Sequence, residues 1–215
     1  MLITVAGVSL ERNQNPMRAP MNSEIQLGLP GSFSFETVFG NDGPLELELG
    51  FGKALFLIRS ASARPETNFL GVEVSRKWYR EGKRRIEKAN YPPNLRVLHA
   101  EAVDFLARFV GDAQIKTIHV YYPDPWPKKR HLKRRFVSEP LLIQAERVLV
   151  PGGELRIITD HDGYSEWIAE RLAQHPRLRP IEWPLEAEPL THFEAKYRKQ
   201  MRSSYRFRLK LEELS

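Results

Sequence analysis

The sequence predicts an α/β fold with a mostly parallel central sheet, helices on both faces and an antiparallel edge at the C-terminal end. From residue 44 onward, short apolar or β-branched runs alternate with segments of helical period, an order typical of a parallel sheet covered by helices. Two later runs that are possible strands, 179–183 and 205–211, have no helical pattern of similar strength between them. We expect these two runs to pair antiparallel at one edge of the sheet.

Proline, glycine and serine residues set the expected boundaries of these elements. Ser75 and Ser138 are suitable helix N-caps, Pro92 and Pro93 stop one helix, and residues 151–153 end another. The predicted strands are 45–49, 68–74, 95–99, 115–122 and 154–159. The predicted helices are 54–62, 75–90, 103–109, one that begins after Ser138, and 164–175.

Length and composition limit the classes of protein to consider. The 215 residues suit one domain over residues 31–215, preceded by a leader (1–30) without period that we expect to be poorly ordered. The absence of cysteine excludes disulfides and thiolate metal sites, and we predict no metal site of another kind.

No apolar run is long enough to span a membrane, and nothing indicates secretion, so we expect a cytoplasmic protein. A net charge of +6 favours polyanionic partners. No obligatory protein partner is predicted, and a monomer or homodimer is expected.

A short glycine loop follows the first predicted strand. Gly50 and Gly52 allow a tight turn in which backbone N–H groups approach a ligand, and Glu73 follows at the distance typical of a ribose-binding acid, roughly 20 residues. Leu55 occupies the place of the third glycine of a dinucleotide fingerprint, and Glu48 would repel a pyrophosphate, so both argue against NAD. A carboxylate there would attract an ammonium group, such as that of S-adenosylmethionine (SAM). A plain strand-to-helix turn remains the alternative.

A proline-spaced loop, 122–131, follows the fourth predicted strand. Three prolines at alternate positions exclude a helix or a central strand and stiffen the segment. Such a loop can present Asp124 and Trp126 at the carboxyl edge of the sheet. A carboxylate beside an aromatic ring is suited to bind a purine, because the acid accepts from N–H groups and the ring stacks on the base.

A basic run continues directly from this loop. Six of the eight residues from 128 to 135 are Lys or Arg, which favours contact with RNA phosphates over a solvated charged turn. The expected phosphate contacts are Lys129, Arg130, Lys133, Arg134 and Arg135. A second basic set on the helix after Ser75 either extends the RNA footprint or forms a solubilising face. Trp78, Trp167 and Trp183 are interpreted as packing residues rather than base-stacking platforms.

Residues 44–207 resemble the bacterial tRNA (guanine-N7-)-methyltransferases. The motifs that carry the resemblance are 48–53, 123–131, 151–153 with 159–160, and 191–196. The resemblance implies a Rossmann-like class I SAM-dependent methyltransferase fold with a seven-stranded sheet. It also implies SAM as cofactor and tRNA as partner, with the guanine at position 46 of the variable loop as the methylated base.

The resemblance also assigns roles to individual residues. It implies that SAM is bound by Glu48, Gly50, Gly52, Glu73, Glu101 and Asp124, and that the guanine is bound by Lys128, Asp160, Thr191 and Glu194. Three positions depart from the family pattern, namely Ala54, Glu101 and Met201. Because N7 of guanine already holds a free lone pair, no general base is required. Asp124 is the expected catalytic residue, through stabilisation of the positive charge that develops on the ring.

Two alternatives stay open at this point. One is a SAM-dependent methyltransferase that acts on another nucleic-acid base, since such enzymes carry a loosely similar loop after the fourth strand. The other is a non-catalytic RNA-binding protein on the same fold.

Overall fold

The computed structural model describes residues 34–183, 191, 194 and 204–213. The leader predicted for residues 1–30 lies outside these residues, as does Met201. Within the described part, no helix is long and apolar enough to cross a membrane.

A seven-stranded mixed sheet forms the centre of the molecule. Its strands are β1 (Leu45–Leu49), β2 (Asn68–Glu73), β3 (Leu95–His99), β4 (Ile115–Tyr121), β5 (Leu149–Thr159), β6 (Leu178–Pro180) and β7 (Tyr205–Leu211). They lie side by side in the order β3-β2-β1-β4-β5-β7-β6. The first five are parallel, while β7 is antiparallel to both β5 and β6. This confirms the predicted parallel sheet with an antiparallel C-terminal edge.

Helices cover both faces of the sheet, as predicted. They are α1 (Phe35–Phe39), α2 (Leu55–Ala63), α3 (Arg76–Lys88), α4 (Ala102–Phe109), α5 (Glu139–Val148) and α6 (Asp162–Leu172), with a 3₁₀ helix at Lys129–Arg134. The apolar side chains of α2 and α3 belong to one buried cluster, and those of α4, α5 and α6 to a second. Such a division is expected where helices pack on opposite faces of a sheet.

The structure differs from the sequence prediction mainly near the C-terminal edge. β5 begins at Leu149 rather than at residue 154, because Leu149 already pairs with Ile115 before a register shift absorbs residues 151–153. Gly152 takes a φ of 75° within this irregular stretch. β6 ends at Pro180 rather than at residue 183. The short helix α1 was not predicted, since five residues give too little periodicity.

The two serines expected as N-caps behave differently. The hydroxyl of Ser75 accepts a hydrogen bond from the N–H of Trp78, at 3.5 Å, and so caps α3. Ser138 holds the N-cap position of α5, but its side chain makes no capping bond. The loops after β1, β2, β4 and β5 all leave the same carboxyl edge of the sheet, which is where parallel α/β folds bind ligands.

Candidate functional site

The glycine loop after β1 is held in place by the acid that ends β2. Gly50 and Gly52 have φ angles of 80° and 49°, a region that favours glycine. The N–H of Gly52 donates to Oε2 of Glu73 at 3.1 Å, and the N–H of Ser75 donates to Oε1 at 2.8 Å. The structure therefore brings the loop and Glu73 together, as the sequence predicted.

Glu48 is a buried acid beside this loop, and one of its carboxyl oxygens is unpaired in the described part of the chain. Its side chain lies on the central strand β1 and is 4% exposed. Its Oε2 atom is buried and has no hydrogen-bond partner among the described residues. Burial, and then the negative charge of Glu73, raises the pKa of Glu48 well above its ordinary value. A cationic group placed here would satisfy the orphaned oxygen and lower the cost of ionising the acid.

Two of the positions that depart from the family pattern have a structural role that the sequence interpretation did not include. Glu101 is exposed and caps α4, since its Oε2 accepts from the N–H of Asp104 at 2.7 Å. Ala54, which is one of the three positions that depart from the family pattern, has a φ of 55° at the N-cap of α2. This left-handed conformation costs an alanine about 1–2 kcal/mol that a glycine would avoid.

The proline-spaced loop leaves β4 through two strained residues. Tyr122 and Trp126 have φ angles of 52° and 42°. Between them, Asp124 is exposed and forms no hydrogen bond or ion pair with the described part of the chain. The ring of Trp126 is already in contact with its own basic run: the Arg134 guanidinium lies 5.1 Å from the ring centroid, and the His131 ring meets it edge-on. The ring is therefore not the free stacking plane that the sequence suggested.

The basic run forms the 3₁₀ helix rather than an irregular turn. Lys128 is its N-cap, and its exposed cations are Lys129, Arg130, Lys133 and Arg134. These side chains lie where the sequence analysis expected phosphate contacts, beside the proline-spaced loop.

Arg135 differs from the other cations of the run. It is only 6% exposed, and its guanidinium donates to the carbonyl oxygens of Pro125 and Gly163, both at 2.9 Å. The guanidinium also lies over the rings of Tyr164 and Trp167, at 5.0 and 5.1 Å. Its donors are directed inward, so the expected phosphate contact does not fit this structure. Arg135 instead ties the proline-spaced loop to α6.

A second polar cluster joins β4, β5 and β7 at the same edge. The hydroxyl of Tyr122 lies 3.0 Å from Oγ of Ser204, and Nη2 of Arg206 donates to Oε1 of Glu194 at 2.6 Å. Burial raises the pKa of Tyr122, and the negative charges of Glu194 and Asp160 raise it further. The expected guanine-binding acids Asp160 and Glu194 therefore act on one tyrosine, although they lie far apart in the sequence.

Thr191 and Glu194 also have the backbone relation of a helix N-terminus. The Thr191 hydroxyl accepts from the N–H of Glu194 at 3.0 Å, and both residues are buried. This contact belongs to the capping arrangement that a Thr and a Glu three residues apart can form.

Sequence reasoning missed Tyr122 and Arg206 as members of this cluster. The available signal for Tyr122 was its place between a buried strand and a rigid loop. The signal for Arg206 was absent, because an arginine in an edge strand is ordinary and its pairing with Glu194 depends on the tertiary fold.

Comparison with known proteins gives a family for this arrangement. A family model described as "Putative methyltransferase" matches residues 42–207. The tRNA (guanine-N(7)-)-methyltransferase of Rhodopirellula baltica is 38% identical over 151 residues, which are 68% of this chain and 55% of that protein. The protein of the same name from Nitrosococcus oceani is 35% identical over 188 residues, or 86% of this chain and 79% of that protein. The chain thus spans little more than half the length of the first relative.

Solved structures with a similar fold are methyltransferases of several kinds. The 16S rRNA methyltransferase KamB has a TM-score of 0.59 and 16% identity, with 83% of this chain and 93% of that chain covered. A methyltransferase from Pyrococcus furiosus has a TM-score of 0.55 and 18% identity, with 80% and 76% covered. At such identities the likeness concerns the fold alone, and it confirms the predicted class I methyltransferase architecture.

Proposed function

Because the chain belongs to the tRNA (guanine-N7-)-methyltransferase family, we propose that it transfers a methyl group from SAM to N7 of the guanine at position 46 of tRNA. The observation that carries the proposal is the buried Glu48 carboxyl, which lies beside the Gly50–Gly52 loop and whose Oε2 has no hydrogen-bond partner among the described residues. A tRNA substrate also agrees with the cytoplasmic location expected from the sequence.

The glycine loop and its acids fit SAM. Glu48 supplies a carboxylate for the cationic end of the molecule, while the open faces of Gly50 and Gly52 leave room for close approach, since a Cβ at either would meet no atom within 4 Å. Glu73, fixed by two backbone N–H groups, is the candidate for the ribose hydroxyls, since its oxygens retain further lone pairs. Glu101 and Asp124 complete the proposed SAM set.

SAM, when bound, supplies an electrophilic methyl group on a sulfonium centre. The chain's contribution is to hold the guanine so that N7 faces that group, and orientation of this kind contributes about 7–11 kcal/mol to a two-reactant step. N7 needs no deprotonation, so no side chain has to act as a general base. Asp124 is exposed at the carboxyl edge, where its charge would stabilise the cation that forms on the ring.

The guanine is proposed to lie against the cluster around Tyr122. Asp160 offers a carboxylate at the end of β5, and Glu194 offers a second one whose charge is shared with Arg206. Carboxylates at these places would accept from the N–H edge of the base. Thr191 supports Glu194 through its backbone contact, and Lys128 extends the set toward the basic 3₁₀ helix.

The exposed cations of that helix are proposed to bind the phosphates next to the target. Lys129, Arg130, Lys133 and Arg134 are all exposed, so each can neutralise a phosphate. Arg135 is left out of this proposal because its donors are used inside the protein.

The test is a reaction with labelled SAM and unmodified tRNA, followed by nucleoside analysis of the product. We expect 7-methylguanosine at position 46 from the wild-type chain, and at least ~100-fold slower formation by Asp124→Ala. Asp42→Ala removes an exposed acid before β1 and is the matched control, with an expected rate equal to wild type. Methylation of an adenine or cytosine amino group would reassign the substrate base. Failure to bind SAM would leave only an RNA-binding protein.

A further inference from the structure

Helix α3 carries a line of cations along its exposed side. Its thirteen residues include seven basic and two acidic side chains. Arg76, Arg80, Arg84 and Lys88 follow one another at intervals of four, and all are exposed. Residues four apart share one face of a helix and are separated by a rise of about 6 Å, so the line is about 18 Å long.

A groove of about 380 Å³ runs beside this line, between α2 and α3. It is lined by Lys53, Leu55, Ile58, Arg84, Arg85 and Lys88, together with Ala89. Glu81 accepts hydrogen bonds from Arg84 at 2.9 Å and from Arg85 at 2.8 Å, which orients both guanidinium groups. The charged side chains that line the groove are all cationic, and its apolar lining is limited to small and aliphatic side chains. The groove is therefore suited to a polyanionic strand.

An exposed tryptophan stands at the beginning of α3. Trp78 is 38% exposed, and its ring has Lys53 Nζ at 5.8 Å and Lys77 Nζ at 5.1 Å from the centroid. Aromatic rings among cations are a common means of binding nucleic-acid strands, through stacking and phosphate contact together. Because Trp78 follows Ser75 by less than one turn, it lies at the carboxyl edge of the sheet, where the proposed active site opens.

We propose that this α3 surface, made of Trp78, Arg76, Arg80, Arg84, Lys88 and the adjoining groove, binds the sugar–phosphate backbone of a second segment of the tRNA, away from the methylated guanine. The inference rests on the proposed function. The basic 3₁₀ helix follows β4, whereas α3 follows β2, and β1 lies between these strands. At about 4.8 Å per strand, the two cationic surfaces begin about 10 Å apart at the carboxyl edge.

From that edge, α3 runs back toward the amino edge of the sheet, so the line of cations leads away from the target. A short hairpin bound at the 3₁₀ helix would not extend along it. A folded tRNA, whose arms occupy separate volumes, can contact both surfaces at once. The α3 surface would therefore distinguish intact tRNA from an isolated stem-loop of the same sequence.

The experiment compares the double variant Arg80→Gln/Lys88→Gln with a charge-matched control, Lys116→Gln/Lys210→Gln. The two control lysines are exposed on strands β4 and β7, and both lie toward the amino edge. Fluorescence anisotropy would measure the affinity of each for unmodified tRNA and for a hairpin that holds only the target arm, over a range of salt. SAM affinity and the urea midpoint report whether each variant is correctly folded.

We expect the α3 variant to bind tRNA about tenfold more weakly than wild type, with its salt slope reduced by about 2, and to bind the hairpin like wild type. The control should match wild type for both RNAs. Equal tRNA affinities of the two double variants would overturn the inference. That result is expected if α3 instead binds an acidic protein or only keeps the chain soluble. An equal loss for the hairpin would also overturn it.

Nucleoside analysis of the wild-type reaction, run on the same tRNA, reports separately on the proposed function. Formation of 7-methylguanosine together with unchanged tRNA binding by the α3 variant would reject the α3 surface alone. Absence of 7-methylguanosine would reject the proposed function.

Discussion

Two glutamates on the same face of β1 have opposite surroundings. Glu46 and Glu48 are two residues apart, and each is 4% exposed. Glu46 receives two hydrogen bonds from the Arg64 guanidinium, one of them at 2.9 Å, and its Oε2 lies 3.0 Å from Nε2 of His119. Glu48 has a buried oxygen with no such partner among the described residues, and the charge that contributes to its raised pKa is that of another acid, Glu73.

The difference separates a buried charge that stabilises the fold from a buried acid that we propose to bind a ligand. Burial raises the pKa of Glu46, but hydrogen bonds and charge from His119 and Arg64 outweigh it and lower the pKa to about 2. At Glu48, burial and then the negative charge of Glu73 both raise the pKa. An unpaired buried acid costs stability, and such groups concentrate at functional sites. The carboxyl end of β1 therefore carries a buried acid that costs stability and that we propose to bind SAM.

The two acids also give stability opposite pH dependences. The folded-state pKa of Glu46 lies below its unfolded value, so its contribution is present above pH ~4.5 and is lost as the pH falls toward about 2. The folded-state pKa of Glu48 lies above its unfolded-state pKa. The free energy of unfolding therefore declines as the pH rises from the unfolded-state pKa to the folded-state pKa.

The largest expected effect on stability comes from Glu46→Gln. Removal of the charge leaves Arg64 and His119 without their ionic partner, and the free energy of unfolding should fall by about 3 kcal/mol at pH 7. Urea titration measures the change, with the exposed Glu66→Gln as control. A loss no larger than that of the control would show that the pairing around Glu46 does not stabilise the fold.

Glu48→Gln should have the opposite effect on stability and a separate effect on ligand binding. Without a buried group to ionise, the ligand-free variant should be more stable than wild type by about 1 kcal/mol at pH 8, with a smaller gain at pH 6. Calorimetry should show SAM affinity reduced by about 10–100-fold, because a charge-assisted contact is lost. If the variant were less stable than wild type at both pH values, the buried Glu48 carboxyl would not be destabilising the ligand-free protein.

Arg64→Met would make the environment of Glu46 resemble that of Glu48. Methionine keeps an unbranched aliphatic side chain, while both guanidinium hydrogen bonds and the contact of the guanidinium with the Phe69 ring are lost. Since Arg64 is partly exposed, we expect a moderate loss of about 1–2 kcal/mol, and an acid unfolding midpoint at higher pH. An unchanged acid midpoint would mean that His119 alone is sufficient to hold Glu46 ionised.

The smallest expected effect tests backbone strain just after β1. Ala54→Gly relieves the left-handed φ but loses a buried methyl group and adds freedom to the unfolded chain, so the net change should stay within about 1 kcal/mol. Ala54→Val keeps the strain and adds a branched Cβ, so it should destabilise the protein clearly more. Thermal unfolding of the two variants gives the comparison directly, and equal stability would argue against strain at this position.

The sequence was a good guide to the parts of the site that adjoin single strands. Glu48, Gly50 and Gly52 could be placed because parallel strands end at one edge, and Glu73 because the acid that ends the second strand faces the loop of the first. The alternation of the five parallel strands with helices along the chain was predicted from periodicity alone. The register shift before β5 did not, since residues 151–153 are compatible with either a turn or an irregular strand.

Side-chain partners were less predictable than positions. The sequence predicts Arg135 to be one more cation of an exposed run, but contacts with α6 bury its side chain. The sequence predicts a free Trp126 ring, but the Arg134 guanidinium already lies 5.1 Å from the ring centroid. Trp78, interpreted as a core or surface packing residue, lies at the surface and is 38% exposed. Each of these outcomes depends on what lies across a tertiary contact, and local spacing contains no information on it.

The sequence by itself determined the element order, the carboxyl-edge location of the site and the acids that end β1 and β2, because these follow from local periodicity and from the geometry of parallel strands. Only the tertiary structure decided which charges are paired. Glu46 is hydrogen-bonded to Arg64 and His119, and Glu194 is hydrogen-bonded to Arg206. Oε2 of Glu48 has no partner in the described part of the chain. The physical reason is that the energy of a buried charge depends on the few groups within hydrogen-bond distance, and these come from remote segments.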